Sequence, residues 1–135
     1  MCNMLHEEGF RPIPKRGVGW KIFGVGAQSP NDCEGLVIGS VHGVVFKRDR
    51  DGWVAWKWED DPKDRGFCFF LKRKDAVSAA RKWLETINRN PGETCVVLKI
   101  EYEGGLGECD EHRFVGGTVR VALARRFRIV GVEGR

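Results

Sequence analysis

Three basic residues, Lys72-Arg73-Lys74, stand where a helix-like run begins. A helix start presents free backbone N–H groups and the positive end of its dipole, so acidic or hydroxyl residues are usual there. Three cations at such a place cost about 0.3–1 kcal/mol each when exposed. The same N–H groups and cations together make an anion site. The alternative is a helix that begins a residue or two later, capped by Asp75, with the cations in a loop.

Trp53, Trp56 and Trp58 lie on one short segment beside Lys47, Arg48, Arg50 and Lys57. Aromatic rings interleaved with cations are what single-stranded nucleic acid binding uses, because bases stack on the rings. A strand period of two puts Trp56 and Trp58 on one face and Trp53 on the other, so at least one of them belongs to the core. Near the C-terminus stand Arg120, Arg125, Arg126 and Arg128. Alternation places Arg126 and Arg128 on the same strand face, either as a phosphate-binding surface or as a plain solvent face.

Cys2 carries a third chemistry. Methionine before so small a residue is commonly trimmed, which leaves an N-terminal thiol with its own amine as base. Class II amidotransferases use that arrangement, but they follow the cysteine with a Gly-rich strand, and Asn3-Met4-Leu5-His6 does not match. A small residue at a loose terminus is the simpler reading. His6, His42 and His112 are scattered. Cys109-Asp110-Glu111-His112 has ligand-type residues, but adjacent positions do not wrap one metal, so a solvated loop and no metal are expected there.

The elements that must position these groups follow from pattern. The 135 residues are 41% hydrophobic and 31% charged, with a formal net charge of +4. That fits one globular domain and permits a nucleic-acid partner. No apolar run approaches a membrane span, and the N-terminus lacks the basic-then-apolar order of a secretory signal. With five widely spaced cysteines and no C-x-x-C pair, a cytoplasmic protein without disulfides or zinc is expected, and Cys68 and Cys95 read as small buried hydrophobes.

Residues 1–17 read as irregular, with Pro12 and Pro14 in an extended lead-in. Val18–Phe23 is a strand with Trp20 and Ile22 on one face, Lys21 and Phe23 on the other. Leu36–Gly39, Val44–Lys47 and Trp53–Trp58 are further strands, the last two joined by an Asp51-Gly52 turn. Gly66–Phe70 is a strand. A helix runs over about 72–88, with Val77, Ala80, Leu84 and Ile87 on one face. Residues 95–102 form a strand, Gly104–Gly107 a flexible turn, and 118–124 and 127–130 two closing strands. The fold class is α+β: a mixed, mainly antiparallel sheet of about six to seven strands, with one main helix packed on one face.

The Met1-Cys2 start, the Trp20-Lys21-Ile22-Phe23 strand, the Gly66-Phe67-x-x-Phe70 strand leading into Asp75-Ala76, the Val97-Leu98-Lys99-Ile100 strand and the closing strand near Ile129 resemble a set of small bacterial and phage proteins. Those proteins often carry Gly-Phe-His at the middle strand, where this chain has Cys68. The resemblance implies a phage or mobile-element setting and brings no assigned activity. Residues 66–102 also resemble half of the ADP-ribosyltransferase core. That resemblance implies an NAD-holding residue on an early strand and a late Glu at the reacting ribose, the counterparts here being His42 and Glu101 or Glu103. The reading that results is a cytoplasmic binding protein without a cofactor, acting on a nucleic acid or a host protein. Its candidate site is Lys72, Arg73, Lys74, Trp53, Trp56, Trp58, Arg126 and Arg128. The alternative is an enzyme built on Cys2, or on His42 and Glu101.

Overall fold

The structure is a computed structural model and describes residues 7–26, 37–39, 47–56, 65–86, 94–113 and 117–132. Six strands and one helix follow in the order β1 (Arg16–Gly26), β2 (Val37–Gly39), β3 (Trp53–Ala55), β4 (Phe67–Phe69), α1 (Arg73–Thr86), β5 (Thr94–Arg113) and β6 (Gly117–Val132). Five strands form the path β2-β1-β5-β6-β3, and β4 pairs β6 off this path. The α+β class holds, with five strands in the main path where six to seven were expected. Every strand pairing among the described residues is antiparallel, so the sheet is not mixed there.

The largest correction concerns Gly104–Gly107. The segment is not a turn: β5 runs straight through it, and β6 likewise joins the two closing strands expected at 118–124 and 127–130. Glycine there bends the ladder instead of ending it. Gly104 has φ of 69°, and a Cβ on it would lie 2.9 Å from that of Arg125. Around this point both strands skip one beat of their alternation. Tyr102 and Gly105 are buried while Glu103 and Gly104 between them are half-buried, and on β6 Ala124 and Phe127 are buried around half-buried Arg125 and Arg126. Residues 109–112 are therefore strand rather than loop, and Cys109 and Glu111 are buried.

Residues 8–15, expected to be irregular, run along the edge of β5. Glu108 N donates to Arg11 O, Asp110 N to Glu8 O and Gly105 N to Lys15 O. The Asp51-Gly52 turn is present, with Gly52 at φ 91° and the Asp49 carboxylate accepting from the N–H groups of Asp51 and Trp53. β3 takes β6 as a partner, and residues 44–46 of its expected hairpin partner lie outside the described residues. Trp20 and Phe70 exchange both backbone hydrogen bonds, at 2.8 and 2.7 Å. Since β1 pairs β5, β5 pairs β6 and β6 pairs β4, this single bridge closes the sheet into a ring of strands.

Two cores result. Inside the ring lie Phe23, Phe67, Phe69, Leu98, Ile100, Tyr102 and Phe127. Gly19 is needed there, because a Cβ on it would stand 2.5 Å from the Phe69 ring. On the outer side, Ala76 and Ala80 of α1, with Val77 beside them, pack on Ile22, Cys68, Phe70 and Val97. This bears out the Val77–Ala80 face. The Leu84 side chain and Ile87 lie outside the described residues. No helix among the described residues is long and apolar enough to cross a membrane.

Candidate functional site

Among the described residues, α1 covers the outer face of the sheet at its Ile22–Val97 end. Its other end carries two rows of cross-strand neighbours. In the first, Arg16 faces Glu103, Glu103 faces Arg126 and Arg126 faces Ala55. In the second, Val18 faces Glu101, Glu101 faces Arg128 and Arg128 faces Trp53. Strand pleating forces this, since every second residue of each strand shares a face. Lys99 follows opposite Trp20. Val18 and Val130 are exposed on this part of the molecule.

The charges are laced together. Glu103 takes Arg16 through one oxygen at 3.2 Å and Arg126 through the other at 3.4 Å. Arg128 donates Nε and Nη2 to Glu101 Oε1, at 3.1 and 2.5 Å, and this bond raises its pKa further. Such exposed pairs contribute little stability. Their effect is to hold the guanidiniums in place. Arg126 Cζ lies 4.4 Å and Arg128 Cζ 5.0 Å from the centre of the Trp53 ring. Lys99 makes no ion pair among the described residues.

The expected site residues thus separate into groups. Trp53, Arg126 and Arg128 come together on one face. Trp56 turns inward as its period requires, edge-on to Phe67 with ring centres 5.1 Å apart. Trp58 lies outside the described residues. Lys72 precedes α1, whose first residues are Arg73 and Lys74, so the cations do occupy the helix start, with Asp75 in the first turn. Phe70, two residues before Lys72, bridges Trp20 on β1. Trp53 sits on β3, at the other end of the strand path from β1. The basic run and the tryptophan are thus at opposite borders of the face. Cys2 and His42 lie outside the described residues, and Glu101 is the partner of Arg128. No group of His, Cys, Asp and Glu among the described residues has the arrangement of a metal site.

Lys21 is the residue that sequence reasoning missed. It is 6% exposed, inside the ring of strands, and its Nζ donates to Cys68 O at 2.8 Å. The ammonium also lies 5.8, 5.9 and 5.7 Å from the ring centres of Phe23, Phe67 and Phe127. Removal from water pushes its pKa down to about 8, the nearby Cys68 opposing that shift. A second bond thereby joins β1 to β4 next to the Trp20–Phe70 bridge. The signal was present in the alternation of β1. The residues sharing a face with Lys21 are Gly17, Gly19 and Phe23, none of them polar.

A third group, Arg120 with Glu108 at 3.2 Å and Asp110 at 2.6 Å, ties the far end of the β5–β6 hairpin to the N-terminal segment through Gly9 O. Both Nη groups of Arg120 are engaged in holding the segment down. Comparison of the chain with protein-family models, with curated proteins and with solved structures finds no match to any of them.

Proposed function

We propose that this chain is a cytoplasmic binding protein that acts without catalysis and holds a nucleic acid on the open outer face of β1, β5, β6 and β3. The observation that carries this reading is the half-buried array in which Trp53 lies on Arg126 and Arg128, with Lys99 and the exposed Arg16 on the same face. Those four cations stand beside Glu101 and Glu103, with Asp51 and Asp49 also acting on Arg128 and Arg126, and an aromatic ring beside cations is the arrangement that nucleic acids favour. Lys72, Arg73 and Lys74 at the β1 border add a second contact for the phosphate backbone. The resemblance to small bacterial and phage proteins gives the proposal a mobile-element setting.

The test is a salt titration of binding to a fluorescent oligonucleotide. Affinity should fall steeply as salt rises, since each phosphate contact releases counterions. Exchange of Arg16 and Lys99 for Gln should flatten the slope by about 0.7 for each single-strand phosphate no longer neutralised. A wild-type protein with no affinity for polyanions at low salt would overturn the reading and leave a host protein as the partner. The enzymatic alternative is tested by thiol labelling. Cys68 and Cys109 are buried, so selective labelling of a trimmed N-terminal Cys2 would support a nucleophile there.

A further inference from the structure

We propose that the open face selects single-stranded over duplex nucleic acid, because the outward side of the Trp53 indole receives one unpaired base. The inference rests on the reading above and specifies its ligand. Trp53 belongs to neither hydrophobic core, whereas its neighbours Val54 and Trp56 join the interior. Among the described residues its ring meets the two guanidiniums of β6, at 4.4 and 5.0 Å. Each guanidinium is anchored from behind by a carboxylate of β5, Arg126 by Glu103 and Arg128 by Glu101. The indole therefore rests on a fixed cationic bed, on the solvent side of the sheet, while remaining half-buried rather than enclosed.

Such a ring stands half-buried with two guanidiniums within 5.0 Å of its centre. What stacks there must present a bare π-face. In a duplex each base spends both faces on its neighbours, so only an unstacked base can pair with the ring. The surrounding charges suit that geometry. Arg16 and Lys99 lie across the sheet from Trp53, over β1 and β5, in reach of the phosphates flanking a docked base. The carboxylates at Glu101 and Glu103 temper the charge, so attraction to phosphate alone is moderate and stacking decides the preference. A purely electrostatic surface would favour the more densely charged duplex or heparin over the single strand.

The experiment compares three probes at equal low salt by fluorescence anisotropy or competition: oligothymidine, a mixed-sequence duplex of equal length, and heparin. The wild type should bind the single strand about tenfold or more tightly than the duplex, the range that one stacked base supplies. Trp53→Leu keeps an apolar cover on the guanidiniums but offers no π-face. It should bring single-strand affinity down to the duplex level or below, with a smaller change in duplex and heparin binding. Trp53→Phe should recover part of the preference, and thermal melts of both variants check that the fold persists. Equal wild-type binding of single strand and duplex would overturn the inference, as would a Trp53→Leu variant that keeps the preference. Either result leaves the polyanion reading standing. Failure of all three probes to bind would overturn that reading itself.

Discussion

Exchange of Lys21 for Met should remove a specific alkaline dependence from the stability of this protein. The folded-state pKa of Lys21 is about 8, against an ordinary 10.5. Below pH 8 the amine is charged in both folded and unfolded chains, and folding bears the whole cost of burying the charge. Between the two values the folded protein releases the proton first. The unfolded chain then binds more protons, so stability rises with pH. Above 10.5 both forms are neutral and the cost is gone. At 1.36 kcal/mol per pKa unit, the wild type should gain about 3 kcal/mol across this window from Lys21. The Met variant should gain nothing from that source. At neutral pH the variant escapes the desolvation cost. It loses the bond to the Cys68 carbonyl, worth about 1–3 kcal/mol if the oxygen is left bare. It also loses the attraction to three phenyl rings, about 0.5–2 kcal/mol. The two chains should therefore be near equal there and diverge as pH rises. Urea unfolding at a series of pH values, read as the difference between wild type and variant, measures this. All other groups, the buried Tyr102 included, are common to both chains and cancel in the difference. Parallel curves would refute the claim that a charged amine sits inside the ring.

Gly104→Ala should destabilise by about 1–3 kcal/mol, since it puts a side chain at positive φ against Arg125, and a denaturant midpoint reads this directly. Phe69→Ala should cost about 3–5 kcal/mol in the same assay, because Phe69 is 1% exposed and packs on Tyr102 at 4.8 Å between ring centres. Replacing Lys72, Arg73 and Lys74 together by Gln should flatten the salt dependence of polyanion binding. It should leave the melting temperature equal or slightly higher, as the cations oppose the helix dipole at its start. Glu101→Gln should strengthen polyanion binding and steepen its salt slope, because Arg128 loses its counter-charge; unchanged binding would place the ligand elsewhere.

The parts of the fold that could be read from sequence are those set by local periodicity. The helix was legible because Val77 and Ala80 recur at helical spacing before Asn90-Pro91-Gly92, and β4 because Phe67–Phe70 is apolar and sharply bounded. The length of β5 and β6 was not. Gly104, Gly105 and Gly107 carry the same letters whether a chain turns back or merely bends, and only the partner strand decides. The split of the tryptophans was legible from a period of two. The carboxylate partners of Arg126 and Arg128 were not, because Glu101 and Glu103 become their neighbours only through the register of β5 on β6. Lys21 was hidden for a similar reason. Alternation gives its face-mates, but the interior it enters is closed by β4 and β6, which are far away in sequence.

The pairing of β5 has a consequence for how the chain assembles. Its contacts with β6 are local, as between Asp110 and Arg120 ten residues on, whereas those with β1 span up to 87 residues, from Arg16 to Glu103. Closing a short loop costs less entropy than closing a long one. The β5–β6 hairpin is thus the natural nucleus, and β1 docks on it afterwards. Lys21 travels with β1, so its ammonium is stripped of water late, near the top of the folding barrier or beyond it. Alkaline pH should then act mainly on the rate of unfolding, with refolding nearly unchanged, and the two limbs of a denaturant chevron separate these effects. The charge that the interior tolerates at equilibrium becomes, in kinetic terms, a gate on how fast the ring reopens.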